Sequence, residues 1–98
     1  FGGFSNGNYF SDFWKLDILS GNWKQLNLLN SPSARAFSSI SSNNNLFYIH
    51  GGRNEETQFN DLFVFNASNE SWNEILTTNR PPIIDKHSTI FNNNFFIY

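Results

Sequence analysis

The sequence repeats itself, and this limits the possible fold more than any other feature. Gly2-Gly3 returns 49 positions later as Gly51-Gly52, and the same step carries Phe10 to Phe59, Asp12 to Asp61 and Trp23 to Trp72. Leu16 and Phe65, Leu26 and Ile75, and Asn45 and Asn94 keep the register. Pro32 and Pro82 fall one position out of it, as a one-residue loop insertion produces. A period of this size marks an array of stacked units, none of which can bury its apolar face alone.

Each unit reads as short strands. LFYIH (46–50) and NFFIY (94–98) are aromatic and β-branched runs too short for helices. DFWKLD (12–17) and DLFVFN (61–66) follow the glycine pairs, then NWKQL (22–26) and SWNEIL (71–76). AFSSIS (36–41) and HSTIF (87–91) precede the aromatic runs. Between them stand turn-forming stretches such as SNNN, LSG, NASNE, NSPS and NRPP, in which Asn and Gly tolerate positive φ and Pro presets its own. Four short strands joined by tight turns predict one antiparallel sheet per unit of about 50 residues.

LFVF, LFYI and FFIY are apolar on both faces. A sheet with one wet side should alternate, so these strands imply sheets stacked face to face, each covered on both sides. A β-propeller stacks its blades in this way. The glycine pairs then mark places where a strand stops abruptly, the backbone needs positive φ and a Cβ has no room.

Composition narrows the function. Net charge is −2 with a pI near 5.5, giving no electrostatic reason to expect nucleic acid or an anionic membrane as partner. Only 14% of residues are charged and 18% are aromatic, so polarity comes mainly from amides and hydroxyls. There is no cysteine, which removes disulfides and thiolate metal sites, and no apolar run reaches the length of a membrane span. Without a methionine at its start, and with an apolar run at each end, the chain reads as a slice of a longer protein.

The order Gly-Gly, DFWKLD, Trp23 with Leu26, then Pro32, Arg35 and Ser38, then an apolar strand and a second Gly-Gly resembles the kelch repeat, over essentially the whole chain. Leu16 and Phe65 stand where that repeat usually has tyrosine, Phe37-Ser38 replaces His-Ser in one copy, and Asp85-Lys86 occupies the arginine position in the other. The resemblance implies an all-β, kelch-type β-propeller fragment with four-stranded antiparallel blades, one complete and two half. Residues 1–35 would end one repeat with its outer strands, 36–76 would form the complete blade, and 77–98 would begin the next. The run 36–41 would be innermost and the tryptophan strand outermost. A propeller closes with about four to eight blades, so further blades of the same polypeptide are expected as packing partners.

No nucleophile motif, phosphate loop or metal-ligand spacing appears, and no cofactor is expected. His50 and His87 read as ordinary strand histidines rather than a shared metal site, and Glu55-Glu56 as solvated loop carboxylates. Gly2, Gly3, Gly51, Gly52, Asp12, Asp61, Trp23 and Trp72 recur with the repeat, so structural roles are expected for them; both tryptophans should sit in blade-to-blade packing. Asn66-Ala67-Ser68 and Asn69-Glu70-Ser71 match the N-glycosylation pattern, as an Asn- and Ser-rich chain will by chance.

Strand alternation puts the longer connections (3–10, 27–35, 53–59 and 77–85) on one face of the disc, where loops on a rigid scaffold can carry binding. Arg53, Asn54, Glu55, Arg35 and Arg80 lie there, arginine being suited to a partner's carboxylate or phosphate. For Arg35 the competing reading is a structural arginine turned toward a neighbouring blade. The kelch resemblance most often implies a non-catalytic protein-interaction module, such as a ubiquitin-ligase adaptor or scaffold, with a protein or peptide partner and, weakly, a cytoplasmic location. It also leaves open a propeller enzyme similar to galactose oxidase or an epimerase, with its active site outside this stretch, or a receptor ectodomain.

Overall fold

The computed structural model describes residues 1–82, 87, 89–92 and 95–97. Asp85 and Lys86, at the second copy's arginine position, lie outside the described residues, as do Ser88 and Asn94. Among the described residues all regular structure is strand: β1 (Gly3–Ser5), β2 (Asn8–Phe10), β3 (Trp14–Asp17), β4 (Asn22–Gln25), β5 (Ser39–Asn43), β6 (Leu46–His50), β7 (Leu62–Asn66), β8 (Ser71–Glu74), β9 (Ile90–Asn92) and β10 (Phe95–Ile97). β5 to β8 form a four-stranded sheet in sequence order, every neighbour antiparallel. β1–β2, β3–β4 and β9–β10 form two-stranded antiparallel sheets. This is the all-β architecture of a kelch-type propeller fragment.

The sequence repeat is carried into the backbone. Gly2 and Gly51 both adopt φ 67, and Asn30 and Asn79, again 49 positions apart, adopt φ 59 and 51. Gly2 N–H donates to Asp12 O at 2.9 Å and Gly51 N–H to Asp61 O at 3.2 Å. Leu26 N–H donates to Phe13 O, as Ile75 N–H does to Leu62 O. Asn44, at φ 54, turns the chain between Asn43 and Leu46 in the hairpin joining β5 to β6.

Strand limits differ from the sequence reading where backbone sterics intervene. The segment 3–10, expected as a loop, is the β1–β2 hairpin turned at Asn6-Gly7, both at positive φ. The inner strand begins at Ser39 rather than Ala36, because Phe37 takes φ 61 and interrupts the extended backbone. Ala36 still pairs with Arg53 as an isolated bridge. β6 occupies the expected residues.

The core lies between the units. Leu26 from the first unit meets Ile49, Phe65 and Trp72 of the four-stranded sheet, with Phe1, Phe13, Leu28, Phe47 and Phe63 packed around them. Phe13 stands edge-on to Phe65 at 4.7 Å between ring centroids, and it lies 5.1 Å from Trp72; Phe1 meets Trp72 edge-on at 5.7 Å. Edge-to-face contacts at such distances add to the gain from area burial alone.

The two repeat-related tryptophans differ in exposure. Trp72 is 2% exposed, whereas Trp23 is 64% exposed. The register explains the difference. Phe65 pairs with Trp72, and Leu16 with Trp23, so each pair shares one face of its sheet. In the second unit that face looks toward the first and is covered by Phe1 and Phe13. In the first unit the same face looks away from the second, and no sheet among the described residues lies on it. Burial of this position therefore depends on the next sheet, and the residue type alone does not secure it.

Replacing Trp72 with Ala in the full-length protein should cost about 3–5 kcal/mol, measured as a lowered midpoint in urea denaturation. An unchanged midpoint would show that the indole does not hold the seam.

Candidate functional site

The register sets which residues meet at each end of the blade. Ser39 pairs with His50, His50 with Leu62, and Phe63 with Glu74. The segments around Phe37, from Gly51 to Asp61 and from Ile75 to Pro82 therefore share one end, and Asn44 and the turn at Ala67–Glu70 share the other. The first end holds Arg35, Arg53, Asn54, Glu55 and Arg80, but these residues do not form one cluster with one role.

Arg35 is structural. It is 1% exposed, and its five N–H groups make five hydrogen bonds. Nη1 donates to Asp61 Oδ1 at 2.5 Å and to Gly51 O at 3.1 Å; Nη2 donates to Asp61 Oδ2 at 2.9 Å and to Ser33 Oγ at 3.1 Å; Nε donates to Ser33 O at 3.1 Å. The guanidinium carbon lies 3.8 Å from the Phe59 ring centroid, within cation–π range. Its backbone reaches the other way: Arg35 N–H donates to Phe10 O, and Arg35 O accepts from Gly3 N–H. One residue thus joins the first unit by its main chain to the second by its side chain. Of the two readings the sequence allowed for Arg35, this geometry agrees with the structural arginine, because no donor of its guanidinium faces solvent.

The recurrent residues explain themselves around this joint. A Cβ on Gly2 would lie 2.6 Å from Arg35 O, and one on Gly52 would lie 2.7 Å from Ala36 O and collide with Ser38 Oγ. Gly3 supplies the N–H that Arg35 O accepts, and Gly51 supplies the carbonyl that its Nη1 and the Ser38 hydroxyl bond. Asp61 holds the guanidinium by both carboxylate oxygens. Asp12, its repeat equivalent, accepts instead from the Trp14 indole N–H at 2.7 Å.

Asn54 is also occupied. Its Oδ1 accepts from Glu56 and Thr57 N–H, closing the turn, and its Nδ2 donates to Ala34 O. Glu55 is exposed on that turn and Arg80 is exposed after β8. Arg53 is half-buried, its guanidinium carbon 5.4 Å from the Phe37 ring, while its backbone bridges Ala36 in both directions. Arg80 borders a cavity of about 200 Å³ lined also by His50, Asn60, Thr77, Thr78 and Pro81. In the corresponding cavity of the first unit, Leu28 and Leu29 stand in place of Thr77 and Thr78, Ser11 in place of Asn60 and Ser31 in place of Arg80.

Two arrangements were not anticipated. Phe37 adopts φ 61, a strained conformation for a bulky residue that only surrounding structure can impose. His50 and His87, expected to be ordinary strand histidines, lie together, with His50 Nδ1 2.9 Å from His87 Nε2 and Ser39 Oγ 2.9 Å from the same nitrogen. A signal for this pairing was present, because His50 ends the strand before Gly-Gly and His87 stands at the entry to the next inner strand, at the same end of the disc. Among the described residues, no group of three or more His, Cys, Asp or Glu side chains converges as a metal site.

Replacing Arg35 with Ala should cost about 3–5 kcal/mol, because it leaves Asp61 partly buried without its counter-charge. Arg35→Lys should recover only part of this, since an ammonium cannot make the bidentate contact. Equal urea midpoints for wild type and Arg35→Ala would refute the joint.

Comparison with known proteins agrees with this geometry. A family model described as the KLHDC2/KLHL20/DRC7 Kelch-repeats domain matches residues 1–98. The chain is 28% identical over 95 residues to the flagellar outer-arm dynein alpha chain of Chlamydomonas reinhardtii; the match covers 91% of this chain and 2% of that protein. Kelch-repeat domains generally mediate protein–protein interaction and are typically non-catalytic. With the doubled Gly-Gly strand ends, the four-stranded blade and a family match along its whole length, this chain belongs to the KLHDC2/KLHL20/DRC7 Kelch-repeats domain family.

Proposed function

We propose that this chain forms part of a non-catalytic interaction module that holds a protein or peptide partner at the long-loop end of the blade. Arg53, Glu55 and Arg80 make the contacts, while Arg35 and Asn54 hold the loops that present them. The observation that carries this reading is the cavity beside the exposed Arg80, whose lining includes Asn60, Thr77 and Thr78 where the first unit has Ser11, Leu28 and Leu29. A side chain with carboxylate or phosphate oxygens fits a lining that carries Arg80, where the first cavity has Ser31. Arginine supplies the matching charge, and charge-assisted hydrogen bonds to carboxylate or phosphate are the stronger class.

Arg80 can be removed with little effect on the fold, and Arg53 without breaking its bridge to Ala36. The bridge between Arg53 and Ala36 is made by main-chain atoms, and Arg80 is exposed. Peptides selected from a displayed random library on the full-length protein should be enriched in acidic or phosphorylated residues. Arg53→Ala and Arg80→Ala should each weaken the selected peptides by about tenfold, the equivalent of about 1.4 kcal/mol, with urea midpoints nearly unchanged. Wild-type affinity in both variants would move the contact surface elsewhere.

A further inference from the structure

The contact between His50 and His87 crosses a boundary between units. His50 closes β6 of the four-stranded sheet, and His87 precedes β9, whose hairpin packs against β5. Their rings stand almost perpendicular, 5.0 Å apart at 86°. His50 is 4% exposed, so water cannot substitute freely for the contact. Two imidazole nitrogens 2.9 Å apart need one proton between them. With none, two lone pairs face each other; with two, two N–H groups do. The Ser39 hydroxyl meets the same His87 nitrogen and lies 3.5 Å from His50 O, so it can accept from His87 or donate to it. Either arrangement leaves a single proton in the His–His contact.

We propose that His50, His87 and Ser39 form a one-proton clasp that holds the second and third units together and opens in acid. Asp61 acts on His50 from the start of β7 but is held in its bidentate pair with Arg35. Arg80 borders the cavity that His50 also lines. Asp85 and Lys86, next to His87 in the chain, lie outside the described residues. Burial, and then the neighbouring His87, push the His50 pKa down from its ordinary value of 6.5, while Asp61 opposes them. A base whose pKa is lower in the folded state than in the unfolded chain contributes stability that is complete above about 6.5 and declines as pH falls toward the folded value. The clasp therefore weakens in the acid range where histidine switches operate.

The test is urea denaturation of the full-length protein from pH 8 to 5, with His50→Asn, His87→Gln and the double variant. Asn and Gln each keep an amide N–H near the position of the lost ring nitrogen while removing its titration. The wild-type folding constant should fall by up to about tenfold per pH unit below about 6.5, and the double variant should lose that fall. An equal fall in wild type and double variant would overturn the proposal. Should the variants not fold, nitrogen NMR of the wild-type imidazoles decides the question. One protonated and one bare facing nitrogen at neutral pH, with titrations coupled to each other, is the expected result; two rings titrating independently would overturn the clasp.

Discussion

The structure depends on the seam between successive sheets. Neither unit encloses its own apolar side chains: Phe13 from one sheet and Phe65 and Trp72 from the next become a core only when the sheets face each other. Apolar burial drives this association without direction, at roughly 25 cal/mol per Å². Arg35 supplies the direction. Its main chain is bonded to Gly3 and Phe10, and its side chain to Gly51, Ser33 and Asp61, so two sheets that could otherwise slide are held in one register. A buried ion pair is costly to desolvate, and its retention is best understood as such a registry device when every donor is satisfied, as it is here.

This joint also explains the glycine pairs. A Cβ at Gly2 would strike Arg35 O in the lead-in to the following unit, and a Cβ at Gly52 would strike Ala36 O in the lead-in to its own sheet. Positive φ adds a second requirement, since Gly2 and Gly51 share φ 67. The loop that follows Gly52 is anchored by the bridge of Arg53 to Ala36 and by the bond from Phe59 N–H to Gly52 O. Strain at Phe37 belongs to the same region: its φ ends the pairing begun at Ala36 and lets the inner strand restart at Ser39.

Surface charge has a smaller share. Lys15 Nζ lies 2.9 Å from Glu70 Oε1 and links β3 to the β7–β8 turn across the seam. The hydrogen bond from Lys15 is what lowers the Glu70 pKa. Both groups are solvated, so the pair orients the turn more than it stabilises the fold. Glu70 itself takes φ 51 where the first unit has Gly21 at φ 75, so the turn geometry is set by its position in the repeat more than by the residue that occupies it.

Sequence alone determined the period, the strand content and the stacking of apolar faces, because each rests on local pattern: spacing of Gly-Gly and Trp, alternation lost in LFVF and LFYI, and Asn-rich turns. β6 at residues 46–50 follows directly from such a pattern. Only tertiary structure decided which recurrent residues are buried and what the charged ones do. Trp23 and Trp72 are the same residue in the same repeat position, yet their exposure differs because burial belongs to a sheet and its neighbour together. Arg35 and Arg53 both fall on the long-loop face by sequence. One is nevertheless enclosed by Asp61, Ser33 and Phe59, contacts up to 26 residues away, and no local pattern carries that information. The approach of His50 to His87 across 37 residues is of the same kind: it exists only once two units pack, and packing is set by the shape of the whole seam.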